Sequence, residues 1–223
     1  MAREAAVRDY GGVSAQRRRE QRRRKLIDAG RRLWGSGGLE AVSVRGVCAA
    51  SGLTHRYFYE QFDGRDALIG AVAEDARRQL AQTLLEHSAA AGGSVDERFR
   101  AALTAFLHTM SDDPEFHRIM TSDLAGVAGL ENWEYETLDL VADLMVQAGA
   151  AIPGFALPPG AEARRRARFV VGGVNQLLSG WLADRDVSAA ELAQVCTDYL
   201  MALARVPAGR STVTTDSQAM DPA

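Results

Sequence analysis

Apolar side chains recur along the chain at three- and four-residue spacing, and short runs of Gly, Ser, Pro and Asp separate the segments that carry them. A period of 3.6 belongs to amphipathic helices, and no segment shows the strict alternation of a half-buried strand. The predicted fold is therefore all-α. A first helix is expected over about 14–34, with Leu26, Ile27, Leu33 and Trp34 inward, stopping at Gly35, Gly37 and Gly38. Two short helices are expected over 43–50 and 54–61, with Ser51-Gly52-Leu53 turning between them. Each opens on a hydroxyl residue that can accept from the free N–H groups of a first turn. A long helix over 65–90 lines up Leu68, Ile69, Val72, Ala76, Leu80 and Leu84. Ser94 and Glu97 make a capping-box pattern ahead of a helix that turns Phe99, Leu103, Phe106, Leu107 and Met110 inward. Asp113-Pro114 opens a short helix to about residue 123, another covers 131–150, and residues 152–160 form a Pro- and Gly-containing loop. The final helices are expected over 161–183 and 188–206, the second starting from a further capping box at Ser188 and Glu191. In it Leu192, Val195, Cys196, Tyr199, Leu200 and Leu203 form an apolar stripe expected to be fully engaged. Residues 1–13 and 207–223 show no helical period and are expected to be disordered tails.

Charge changes this picture more than composition does. With 47% apolar and 25% charged residues the 223-residue chain has the make-up of an ordinary globular protein. Its net charge of -3 hides an asymmetry: residues 1–65 carry 14 Lys+Arg against 7 Asp+Glu, and the remainder carries 12 against 22. A head of net +7 thus sits on a body of net -10. A polyanion suits the first part alone, and the acidic body limits indiscriminate binding. No run of about 18 apolar residues marks a membrane span, and the N-terminus lacks a secretory apolar region, so a cytoplasmic location is expected. Cys48 and Cys196 lie far apart in apolar helical patterns and read as small buried hydrophobes.

The stretch Ser43 to Leu68, SVRGVCAASGLTHRYFYEQFDGRDAL, carries the chemistry. Two short helices joined by a Gly-containing turn can hold the second proud of the surface, where it fits the major groove of B-DNA. Val44, Val47 and Cys48 would pack the first helix, Gly52 the turn, and Phe58 and Phe62 the underside of the second. Thr54, His55, Arg56, Tyr57 and Tyr59 remain to face outward. By charge and position Arg45, His55, Arg56 and Tyr57 are candidates for base edges, with Ser43 beside them. Tyr57 and Tyr59 have the alternative of half-buried packing. The basic comb Arg17, Arg18, Arg19, Arg22, Arg23, Arg24 and Lys25 is open to two readings, a phosphate or minor-groove contact or a solvated helix face.

This stretch resembles the DNA-binding signature of the TetR family of bacterial regulators, in the order Val47, Cys48, Ser51, Gly52-Leu53-Thr54, Tyr59, Phe62, Arg65 and Leu68. Family members carry Ala at the positions of Cys48 and Ser51, Gly at that of Arg56 and Lys at that of Arg65. The Arg56 departure bears on base preference. The resemblance implies that Thr54 caps the recognition helix and contacts phosphate, and that Tyr59 and Arg65 also contact phosphate. It implies a helix-turn-helix domain over 14–64, joined by a connector helix to a helical ligand-binding and dimerisation domain over 65–206. It also implies an inducer pocket in the body, for which Phe106, Met110, Phe116, His117, Met120, Trp133, Tyr135 and Trp181 are candidates, although an ordinary core uses the same residues. The last two helices are expected to pair with those of a second copy through Gly172, Gly173, Leu177, Gly180, Leu192, Tyr199 and Leu203. Close backbone approach would explain the three glycines; relief of packing within one subunit is the alternative.

The expected protein is a homodimeric transcription regulator, a repressor that leaves an operator duplex when a small apolar or aromatic molecule binds. Alternatives are a regulator with no such inducer and a membrane-surface module using the basic first helix. Few large apolar residues precede Leu26, which disfavours insertion. No phosphate loop, HExxH, CxxC or nucleophile elbow occurs, so no enzyme, metal site or cofactor is expected.

Overall fold

In the computed structural model the described residues are 14–204, and they form helices from end to end with no strand. In chain order these are α1 (Ala15–Gly37), α2 (Val44–Ser51), α3 (His55–Tyr59), α4 (Arg65–Ala91) and α5 (Val95–Asp112). After them come α6 (Pro114–Met120), α7 (Trp133–Ala150), α8 (Ala161–Asp184) and α9 (Ala189–Ala204). The expected tails, and positions 205–206 of the last predicted helix, lie outside the described residues.

The ends of these helices show why they form where they do. Ser14 accepts from the Arg17 N–H at 3.2 Å, and Ser43 from the Gly46 N–H at 3.1 Å. Asp113 caps α6, accepting from Phe116 N–H at 2.8 Å ahead of Pro114. Both capping boxes form: the Ser94 N–H donates to Glu97 and the Ser188 N–H to Glu191, each at 2.8 Å. Helix α1 runs three residues past the stop expected from its glycines. Glycine weakens a helix without ending it; the end comes at Gly38, where φ is +77°. A single turn of 3-10 helix at Leu39–Ala41, absent from the pattern of apolar positions, links α1 to α2.

Among the described residues a main hydrophobic core runs from head to body, and a small second cluster of Ala142, Ala167 and Val171 joins α7 to α8. In the N-terminal part Leu26, Ala29, Trp34, Val42, Val47, Cys48, Phe58 and Phe62 are buried. Helix α4 contributes to this end through Leu68, Ile69 and Val72, and to the body through Ala76 and Leu80. The body continues with Leu103, Leu107, Met110, Phe116, Ile119, Leu192 and Cys196. Burial raises the pKa of both thiols, as suits cysteines that act as packing groups.

Helix α1 is seated on α6. Arg31 donates to Gln79 at 2.8 Å and pairs with Asp113 and Glu115, and the Trp34 indole N–H donates to Ser122 at 2.9 Å. At Gly35 a methyl group would stand 2.6 Å from the Glu115 side chain and 2.8 Å from its Cα, so only glycine lets the two helices meet here.

Candidate nucleic-acid interface and ligand cavity

Helix α3 is short, and its geometry is set from below. Phe58 is fully buried, Phe62 nearly so, and their rings lie 5.7 Å apart. Gly52 turns the chain between α2 and α3 at φ +68°, with its N–H bonded to the Cys48 carbonyl. Held this way, α3 presents Thr54, His55, Arg56, Tyr57 and Tyr59 to solvent, and Ser43 and Arg45 stand exposed on α2 beside them. Arg56 has 86% of its side chain exposed and pairs with Glu60, one turn on, at 3.2 Å. Tyr59 is 58% exposed with its ring edge-on to Phe58, and Tyr57 lies under the Arg22 guanidinium at 4.8 Å. Thr54 takes the N-cap position, but its side chain makes no capping bond, so its hydroxyl is open to another partner.

Arg65 stands apart from this set. Its Nε donates to the Val42 carbonyl at 2.7 Å, Nη2 to the Leu39 carbonyl at 2.8 Å, and Nη1 to Asp66 at 3.2 Å. The guanidinium that the family resemblance assigned to phosphate holds two carbonyls left by the 3-10 turn and the residue after it, while 36% of the side chain stays exposed. The comb divides too. Arg24 pairs with Asp28 and Asp75 at 2.9 and 2.8 Å, whereas Arg19, Arg22 and Arg23 lean onto α3.

The body holds a partly open apolar cavity of about 250 Å³ lined by α4, α5, the end of α6, α7, α8, α9 and the 152–158 loop. Leu84, Phe99, Phe106, Met120, Trp133 and Val174 are part of its wall. Of the eight candidates from the sequence, Phe106, Met120 and Trp133 are there. The others are elsewhere. Met110 and Phe116 are fully packed core, and Tyr135 is exposed beside Arg168. Trp181 is capped by Arg185 at 4.2 Å and donates to the Val187 carbonyl. His117 sits near Arg185 and Arg118, and burial together with these cations lowers its pKa. Most of the wall went unassigned from sequence, since Val, Leu and Ala at helical spacing look alike whether they face a void or a neighbour.

On α8 and α9 an apolar strip faces outward: Phe169 (70% exposed), Leu177, Val195 and Tyr199 (59%), with Gly172, Gly173 and Gly180 among them. A methyl group added at any of the three glycines would meet nothing within 4 Å. The stripe on α9 is thus split, with Val195 and Tyr199 outward, Leu192 buried within the chain's own core and Leu203 on the cavity wall.

Residues 26–72 match the model of the bacterial regulatory proteins of the tetR family. The N-terminal domain is that of the TetR family. No curated protein matches the chain in sequence. Among solved structures the TetR-like fold extends over the whole body. A tetR-family transcriptional regulator from Streptomyces coelicolor superposes with a TM-score of 0.65 at 19% identity, over 82% of this chain and 80% of that one. SmeT of Stenotrophomonas maltophilia, the repressor of a multidrug efflux pump, gives 0.59 at 17% over 81% and 88%. The fatty acid degradation regulator FadR of Bacillus halodurans gives 0.62 at 14% over 80% and 94%. The fold of the chain is accordingly TetR-like, and its N-terminal segment matches a family of bacterial regulatory proteins. Among its described residues no helix is long and apolar enough to cross a membrane.

Proposed function

We propose that this protein is a homodimeric repressor whose affinity for its operator falls when a small apolar molecule enters the body cavity. One observation carries the reading: α4 belongs to both sites. Its first half packs against α1, which in turn supports α3, placing Leu68, Ile69 and Val72 in the core of the head, and its second half forms cavity wall through Leu80 and Leu84. A ligand that favours one placement of α4 therefore biases the head, and only its differential affinity for two arrangements can do so. SmeT, of similar fold, has been solved with triclosan, which supports a ligand role for such a body. The outward strip on α8 and α9 supports pairing of two copies by a two-fold axis, which would set two α3 helices in successive major grooves about 34 Å apart. Thr54 and Tyr59 would then meet phosphate, and Arg45, His55, Arg56 and Tyr57 base edges.

The test uses a duplex selected from a random pool by the full-length protein, and the neutral fluorophore N-phenyl-1-naphthylamine as probe. The probe should bind, and saturating probe should weaken the duplex complex between about 5- and 150-fold. Val141→Trp, which fills the cavity, should abolish probe binding and leave the duplex complex intact. Probe binding with unchanged duplex affinity would refute the induction mechanism.

A further inference from the structure

Three arginines of α1 end on one place, the C-terminal end of α3. Arg19 Nη2 donates to the Glu60 carbonyl at 3.4 Å and Arg23 Nη1 to the Gln61 carbonyl at 3.2 Å. Arg22 pairs with the Glu60 carboxylate at 4.0 Å and lies over the Tyr57 ring at 4.8 Å, while Arg23 lies over the Phe62 ring at 4.5 Å. Positions 19, 22 and 23 share one face of a helix, and Arg24, on another, points to Asp28 and Asp75. Arg22 is packed rather than free in solvent: its side chain is 27% exposed and its Nε is fully enclosed.

Helix α3 needs such support. Five residues are far too few for a helix to hold itself; the Glu60, Gln61 and Phe62 N–H groups close its last turn on the Arg56 and Phe58 carbonyls, and the Glu60 and Gln61 carbonyls just past its end are the ones the arginines reach. Cations at a helix C-terminus satisfy those carbonyls and oppose the negative end of the dipole. We infer that Arg19, Arg22 and Arg23 are positioning residues for DNA recognition: they grip the end of α3 and fix its pitch in the groove, and they are not themselves phosphate contacts. The inference rests on the DNA-binding reading and goes beyond it, since it removes three of the seven residues of a conspicuous basic comb from the DNA interface.

The two roles predict opposite behaviour. A phosphate contact raises affinity for every sequence, and its loss flattens the dependence of log K on log[salt] by about 0.9 per contact, or about 1.8 per dimer. A positioning residue changes the preference for the selected duplex over a scrambled one of equal length, and leaves that slope alone. Arg22→Gln should therefore lower the selected-over-scrambled ratio about tenfold with an unchanged slope on the scrambled duplex. Glu60→Gln is the sharper variant, because it removes the partner of Arg22 and makes the head more positive. Positioning predicts a reduced ratio for it as well; phosphate contact predicts tighter binding to both duplexes alike. Hydrogen exchange on the DNA-free protein gives an independent reading. The amides of Phe58, Gln61 and Phe62, which bond within this turn, should exchange several-fold faster in both variants. A preserved ratio with a flattened slope, uniform tightening by Glu60→Gln, or unchanged exchange at those amides would overturn the inference. Should the wild-type protein enrich no duplex, the DNA reading fails while the exchange rates still judge the brace.

Discussion

Replacing Gly173 and Gly180 of α8 with alanine separates a solvent-facing glycine from one reserved for a partner. In the single chain both sites are open, with nothing within 4 Å of an added methyl group. Alanine exceeds glycine in helix propensity by about 1 kcal/mol per site, so an isolated subunit gains about 2 kcal/mol from the pair. If α8 approaches its symmetry mate closely at these points, each methyl instead enters a packed interface, where overpacking costs about 1–3 kcal/mol. Two sites, each present twice across a two-fold axis, then oppose dimerisation by about 4–12 kcal/mol against a gain of about 4 kcal/mol for the two subunits. Sedimentation velocity across a dilution series reads the dimer, and thermal unfolding at several concentrations reads the subunit. The expected outcome is a weaker dimer with a melting temperature that depends more steeply on concentration. An unchanged dimer with a raised melting temperature would show that these glycines face solvent, and that the apolar strip on α8 and α9 pairs elsewhere or not at all.

Arg65→Ala should destabilise the head by about 1–3 kcal/mol in urea unfolding, because the Leu39 and Val42 carbonyls lose a charged donor; unaltered stability with a flattened salt slope would restore Arg65 to the phosphate backbone. Arg56→Ala, at a side chain 86% exposed, should leave stability within about 0.5 kcal/mol and relax discrimination at one base pair by about 1–3 kcal/mol. Equal losses on selected and scrambled duplexes would remove Arg56 from base recognition. His117 has its folded pKa lowered by burial and by Arg185 and Arg118, so below the ordinary histidine value the unfolded chain binds the proton more readily than the folded one. Stability from this group is present above that value and is lost as pH falls toward the lowered pKa. His117→Gln should flatten the decline, and an identical pH profile would exclude the effect.

How much could be read from the chain follows from what each residue answers to. Helix starts were legible because Ser14, Ser43, Ser94, Asp113 and Ser188 act on their own first turns, a local interaction that spacing reveals. The outward set on α3 was legible as well, since Phe58 and Phe62 already claim its inner face. Arg65 was not. Its partners at Leu39 and Val42 lie more than twenty residues back, in a 3-10 turn without a periodic signature. The same holds for Arg19, Arg22 and Arg23, whose partners on α3 are some forty residues away. The cavity wall was the least legible, because a void is defined by what several helices leave unfilled and no single position encodes it.

Where Gly35 meets Glu115, the first carbons of the Glu115 side chain lie directly against the backbone of α1, and α1 has no side chain there to absorb movement. From that fulcrum α1 continues as one uninterrupted rod back to Arg19, about 24 Å away at 1.5 Å per residue. A tilt of α6 by about 5° would swing the far end, and the recognition helix gripped there, by about 2 Å. That is a large fraction of the tolerance of a hydrogen bond to a base edge. The body thus has a lever on α3, with its pivot at a position where a methyl group does not fit.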